Sequence, residues 1–125
     1  MNRNHVTMDA EVIIVGGGPV GLLLANLLGR AGRSVLLLEA DAITPERSMA
    51  IGITPPSLDI LKTIGLDASF VRAGIKIEQA VVHENGDVVS NLPLNEWPDA
   101  YRFILSLPQV CTIRLLRDNL ASMPR

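Results

Sequence analysis

Three consecutive glycines, Gly16, Gly17 and Gly18, followed by Pro19, Val20 and Gly21, are the residues best suited to hold a ligand. Gly16, Gly18 and Gly21 satisfy the spacing G-x-G-x-x-G. In that motif the first glycine turns the chain sharply off a strand, the second lets a diphosphate approach the backbone, and the third lets a helix pack closely on the strand. The N–H groups of the helix's first turn and the positive end of its dipole then face the anion. Glu39, followed by Ala40, lies 18 residues beyond Gly21. A carboxylate at that distance accepts hydrogen bonds from the hydroxyls of an adenosine ribose. It would repel a 2′-phosphate, so the site disfavours NADP. Gly16 to Gly21, Glu39 and Ala40 are therefore the candidate cofactor-binding residues. Glycines that only make tight turns, and an acid that is only solvated, are the competing readings.

The elements around these residues decide between the readings. Val12 to Val15 is a short apolar, β-branched run, expected to be a strand buried on both faces. From Val20 the apolar residues Leu22, Leu23, Leu24, Ala25, Leu27, Leu28 and Ala31 give a broad helical face that Gly32 terminates. Val35 to Leu38 is a second apolar strand, ending on Glu39. Strand, glycine turn, helix, strand and acid form a βαβ unit of about 30 residues, the context that gives the motif its meaning. Dinucleotide binding is the reading this context favours.

Composition narrows the function classes. The 125 residues are 48% hydrophobic and carry 11 basic against 13 acidic side chains, a net charge of −2. This suits a globular unit and offers no basic face for nucleic acid. The leucine-rich run at 22–28, interrupted by Asn26 and soon followed by Arg30, is too short to span a bilayer. Residues 1–9 lack the apolar core of a signal peptide and read as a frayed tail, leaving 10–125 as one domain without a linker. The single cysteine, Cys111, excludes an internal disulfide and argues for a reducing, cytoplasmic setting. His5 and His83 have no metal-ligating company, so no metal site is expected.

Further along, residues 41–53 read as a loop. Thr54 is expected to cap a helix with Pro55 at its first position, carrying Leu58, Ile60, Leu61 and Ile64 and ending at Gly65. Asp67 is expected to cap a shorter helical stretch ending at Gly74. Two extended runs within 77–92 are joined by Asn85-Gly86, a strong hairpin signal. A proline-punctuated loop over 93–103 follows, and Gln109 to Met123 reads as a last helix with Val110, Ile113, Leu116 and Leu120 at helical spacing. Trp97, Tyr101 and His83 could line a substrate site, although single aromatic or histidine side chains more often serve packing. No nucleophile–base pair, carboxylate pair or metal cluster offers a mechanism of its own, so the catalytic residues stay unassigned.

The turn G-G-G-P-V-G-L-L-L-A resembles the N-terminus of the FAD-dependent aromatic hydroxylases, the group of para-hydroxybenzoate and phenol hydroxylases. "RSMAIGITPPSLDILKTIGL", Arg47 to Leu66, is similar to the family's arginine, small-residue turn, helix and Gly-Leu end. "LPQVCTIRLLRDNL", Leu107 to Leu120, is similar to the segment in which a glutamine or arginine opens a helix beside the flavin. The resemblance implies an α/β fold: a Rossmann-like FAD-binding βαβ unit with an added β-hairpin and helices, incomplete relative to the family. It implies that Arg47 lies near the diphosphate or flavin side of FAD and that Gln109 approaches the ribityl chain. An ordinary loop arginine and a simple polar helix opener are the alternatives. The chain departs from phenol-hydroxylase-like members at Pro56, Ser57, Leu58 and Asp59, where they have Arg-Thr-Leu-Glu. It departs again at Ile113, where the family often has a glutamate.

The resemblance further implies FAD as cofactor, NAD(P)H as co-substrate, and O₂-dependent hydroxylation of a small aromatic or polyketide-like substrate. Family members are much longer, with a later Asp-Gly segment and a Gly-Asp segment that complete the flavin site. Neither is found over 40–125, where Asn85-Gly86-Asp87 reads only as a turn. The expectation is an FAD-binding portion that needs a C-terminal remainder or self-association and is inactive by itself. Another flavoprotein oxidoreductase of the same fold, or a non-catalytic nucleotide- or partner-binding remnant, are the alternatives.

Overall fold

The computed structural model describes residues 10–40 and 52–123. The chain divides into two compact units, Met1–Thr44 with Leu116–Arg125, and Pro45–Leu115.

The first unit is built on β1 (Val12–Val15), α1 (Pro19–Arg30) and β2 (Val35–Leu38). β1 and β2 are parallel, with Val12 opposite Val35 and Val15 opposite Leu38. The right register is reinforced at the strand starts. Glu11 N–H donates to Ser34 Oγ, and Ser34 N–H donates to Glu11 Oε2, both at 2.9 Å. Arg33 adds a 3.2 Å ion pair with Glu11. The backbone donor at Ser34 and then Arg33 hold the Glu11 carboxyl below its ordinary range.

Strand β1 is not buried on both faces, contrary to expectation. Ile14 is buried, while Ile13 and Val15 are 62% and 83% exposed. Their cross-strand partners Leu36 and Leu38 are exposed too. Side chains alternate across a sheet, and among the described residues one face is packed while the other lies open.

Helix α1 begins one residue earlier than the apolar pattern implied, on Pro19, which fits a first helical position because its missing N–H has no intrahelical partner there. Leu22, Ala25 and Asn26 form its buried face. Asn26, read in the sequence only as a break in the apolar run, is fully buried. Its Nδ2 donates to the carbonyls of Leu22 and Leu116 at 2.7 and 3.0 Å. Its Oδ1 accepts from Asn119 Nδ2 at 2.7 Å. A buried amide is tolerable when its donors and acceptor are all used, and here they tie α1 to the last two turns of α4 (Gln109–Ala121). Helix α4 ends two residues before the expected Met123.

The second unit carries β3 (Gly52–Ile53), α2 (Pro55–Thr63), α3 (Asp67–Ala73), β4 (Ile75–Ile77), the hairpin β5 (Gln79–Glu84) and β6 (Asp87–Pro93), β7 (Ile104–Ser106) and the start of α4. Strand β7 pairs antiparallel with both β3 and β4, giving the order β3-β7-β4. All three strands of this sheet differ from expectation, and Ile75–Ile77 begins ahead of the two extended runs expected within 77–92. Gly52–Ile53 falls in the presumed loop, and Ile104–Ser106 lies between the proline-rich loop and α4. Strands of two and three residues are too short for a period-2 pattern, and pairing alone makes them strands. Residues 41–51 lie outside the described residues. The core is Leu58, Leu61, Phe70, Leu105 and Leu107 with their neighbours.

Helix α2 spans the anticipated segment, but Thr54 sits at its N-cap without a side-chain cap bond. Its backbone carbonyl takes Ser57 and Leu58 N–H instead. At α3 the cap position is Leu66, and Asp67 is the first helical residue rather than the cap. The hairpin forms as expected, with Asn85 and Gly86 at φ 50° and 94°. Positive φ at both central residues matches the twist of the flanking strands.

Candidate functional site

The glycine turn is built by the end of β1. Gly16 has φ +107°, a conformation glycine adopts readily and other residues rarely do, so the chain leaves the strand sharply at this residue. Its N–H is held by the Leu38 carbonyl at 2.7 Å, joining the turn to the end of β2. Gly21 serves packing: a Cβ there would lie 2.0 Å from the Gly16 carbonyl oxygen and 3.4 Å from Ile14 Cγ2. Only a residue without a side chain lets α1 come this close to the strand.

Gly18 is constrained differently. It is the N-cap of α1, with φ −73° and ψ −178°, an extended conformation open to any residue. Its glycine identity therefore owes nothing to backbone freedom. A Cβ at Gly18 would meet no atom within 4 Å, so the space beside it is open. No side chain caps the end of this twelve-residue helix, and its first turn carries no acidic residue. Uncapped N–H groups at the positive end of a helix dipole suit an anion. Together, the open space at Gly18 and the uncapped helix fit a diphosphate.

Glu39 stands at the tip of β2, as the spacing predicted, and it has a partner that the sequence did not reveal. Gly17 N–H donates to Glu39 Oε2 at 2.5 Å. The carboxylate thus folds back over the turn. Ala40 follows it, exposed. The structure brings Gly16 to Gly21, Glu39 and Ala40 together at one end of the parallel sheet. Gln109 belongs to the second unit, where it is half-buried at the start of α4. Arg47 lies outside the described residues.

Of the aromatic and histidine candidates, His83 is exposed on β5 and Trp97 is half-exposed after the 3-10 turn Leu94–Glu96. Tyr101 is occupied. Its O–H donates to Asp67 Oδ2 at 2.6 Å, and its ring meets Phe103 edge-on. The Asp67 carboxylate pushes Tyr101 up to about 12, and the same bond, with help from the Ala68 N–H, holds Asp67 below its usual range. This pair anchors the chain before β7 to the first turn of α3. Among the described residues no group of His, Cys, Asp and Glu is assembled to hold a metal, and no helix is long and apolar enough to cross a membrane.

A nucleotide-shaped turn of this kind occurs in many folds, and comparison with known proteins identifies which one this is. The family described as "FAD binding domain" matches residues 9–124. The chain belongs to the FAD-dependent aromatic hydroxylase family. It is 34% identical over 121 residues to pentachlorophenol 4-monooxygenase of Sphingobium chlorophenolicum, covering 96% of this chain and 22% of that protein. It is 33% identical over 117 residues to rifampicin monooxygenase of Streptomyces venezuelae, covering 90% and 23%. In fold it matches the crystal structure of p-nitrophenol 4-monooxygenase from Pseudomonas putida, with a TM-score of 0.84, 28% identity, and coverage of 94% of this chain and 30% of that one. The chain spans less than a third of the length of these relatives. Its α/β, Rossmann-like FAD-binding fold is the one the family resemblance implied.

Proposed function

We propose that this chain is the FAD-holding portion of a flavin-dependent monooxygenase that uses NAD(P)H and O₂ to hydroxylate a small aromatic or polyketide-like molecule. The observation that carries this reading is the open space at Gly18 beside the uncapped N-terminus of α1, with Glu39 folded over the same turn. The names of the relatives, monooxygenases of chlorinated and nitrated phenols and of rifampicin, support the substrate class.

In this reading the N–H groups at the start of α1 receive the diphosphate, and the bare Cα of Gly18 lets it come close. Glu39 accepts hydrogen bonds from the adenosine ribose, and Ala40 continues the wall beside it. The family resemblance assigns Gln109 to the ribityl chain and Arg47, which lies outside the described residues, to the diphosphate or flavin side of FAD. Bound FAD supplies the hydride acceptance and oxygen chemistry, while the protein binds, orients and shields it. A single cysteine suits a cytoplasmic setting.

Titration of the chain with ADP and with FAD tests the binding half. The wild type should bind ADP, and Gly18→Val should lose more than about tenfold in affinity, a change of about 1.4 kcal/mol, with its fold intact because valine tolerates the extended backbone at 18. Unchanged affinity in that variant removes the glycine turn as the site. The oxygenase half is tested on the protein that carries this segment, with NADH or NADPH, a panel of phenols and labelled O₂. Reduced-nicotinamide consumption without label in any product would overturn it.

A further inference from the structure

β5 and β6 form a two-stranded sheet of their own, and in it every residue but Ala80 and Pro93 is exposed. At its base the Glu78 carbonyl accepts the N–H groups of Leu94 and Asn95. Val81 and Val82 are consecutive and so point to opposite faces, and both are exposed. A lone hairpin is marginally stable in water, and independent stability takes three or more strands. This one is short of a strand.

Its two outer edges are not equivalent. On β6 a bulge interrupts the ladder: Val82 pairs with Ser90 and His83 with Val88, which leaves Val89 unpaired. Pro93 removes an N–H at the end of the same strand. Bulges and prolines blunt a sheet edge against further pairing. β5 carries neither. Gln79–Glu84 runs without a break, a proline, a lysine or an arginine, and among the described residues no strand pairs its outer side.

We propose that β5 pairs antiparallel with the β5 of a second copy of this chain, about a two-fold axis at Val82, giving a four-stranded sheet in the order β6-β5-β5-β6. Residues opposite each other share one face of the sheet, so the axis falls on a residue and not between two. Axes at Val81 and at Val82 keep the longest stretches of β5 in the ladder, 79–83 and 80–84. Charge separates the two. An axis at Val81 sets Glu84 opposite Glu78 of the other copy, and like charges directly opposite are destabilising. An axis at Val82 sets Glu84 opposite Ala80, His83 opposite Val81, and Val82 opposite itself. No carboxylate then meets another across the seam, and a β-branched pair lies at its centre. The edge is complementary to itself in this register, which is why a second copy is the occupant that fits.

The test uses the full chain with Cys111→Ser, so that an introduced thiol is the only one. Cα atoms of opposite residues in an antiparallel pair are about 4.5–5.5 Å apart, within the span of a disulfide. Val82→Cys should therefore oxidise to a covalent dimer. Val81→Cys meets its copy only diagonally, at about 7–8 Å, and should cross-link at least about tenfold more slowly. A second readout needs no cysteine. Amide exchange along the outer side of β5 should slow by about tenfold between about 10 μM and about 1 mM chain. Val82→Lys, which sets like charges against each other at the axis, should abolish that slowing. Equal cross-linking of the two cysteine variants, faster cross-linking of Val81→Cys, or exchange in β5 that ignores concentration would each overturn the proposal. Slow exchange at every concentration without a covalent dimer would show that the edge is covered from within the same chain, and would overturn it too.

Discussion

The four glycines of the turn meet four different constraints. Gly16 needs a left-handed φ, Gly17 yields its volume to Glu39, Gly18 borders open space, and Gly21 lies under a backbone carbonyl. Their substitutions should therefore separate. Gly21→Ala places a methyl 2.0 Å from Gly16 O, an atom that cannot rotate away. Overpacking of this kind costs about 3 kcal/mol, so urea unfolding should show a clear loss of stability, and a midpoint equal to wild type would refute the packing role. The Tyr101–Asp67 pair makes a pH prediction. Tyr101 is raised in the folded state, so its contribution is whole below the unfolded value of about 10 and fades as pH climbs through the folded value, which is about 12. Asp67 is lowered, so its contribution is whole above about 4 and fades as pH falls through its folded value. Both groups are half-exposed, which moderates the gain. Tyr101→Phe keeps the ring on Phe103 and loses the bond, costing about 1 kcal/mol. The gap to wild type should be level between about pH 4 and 10 and close on either side; a pH-independent gap would show that the bond does not contribute.

At the scale of elements, the buried amide network between α1 and α4 decides how those helices meet. Leucines in ridges and grooves would permit several registers, whereas Asn26 satisfies its donors and acceptor only in one. Asn26→Leu should cost about 2 kcal/mol, since it strands the Asn119 amide. Because the two residues share a network, Asn26→Leu with Asn119→Leu should cost less than the sum of the single changes. Additive losses in denaturant titrations would show that the two amides act independently. Part of this organisation was legible beforehand. The glycine spacing, the two apolar strands and the acid at residue 39 all fell into place, because each is set by neighbours within a few residues. The Asn85-Gly86 turn was legible for the same reason.

Among the described residues, several large apolar side chains are exposed. Ile13, Val15, Leu36 and Leu38 share one open sheet face, and Val81, Val82, Val88, Val89 and Leu92 are exposed on the hairpin. Contiguous apolar surface of this kind invites association. The chain should self-associate at concentrations of about 0.1 mM, within the range where exposed hydrophobic surface drives assembly. Val15→Thr combined with Leu38→Thr should shift sedimentation toward the monomer. A wild type that sediments as a monomer throughout would show that the open face is not adhesive.

The sequence by itself determined the βαβ unit, the turn that fits a diphosphate and the hairpin, because these depend on local periodicity and on fixed spacings of glycine and acid, while the family was legible only as a resemblance. Only the tertiary structure decided the rest. Ile104–Ser106 is a strand because β3 and β4 flank it. Asn26 is a clamp because α4 returns to α1. Asp67 is a hydrogen-bond acceptor because Tyr101, 34 residues away, reaches it. Gly17 and Glu39 are partners because parallel pairing sets the end of β2 beside the turn. Each of these is a contact between residues distant along the chain, and a one-dimensional pattern holds no distance across space.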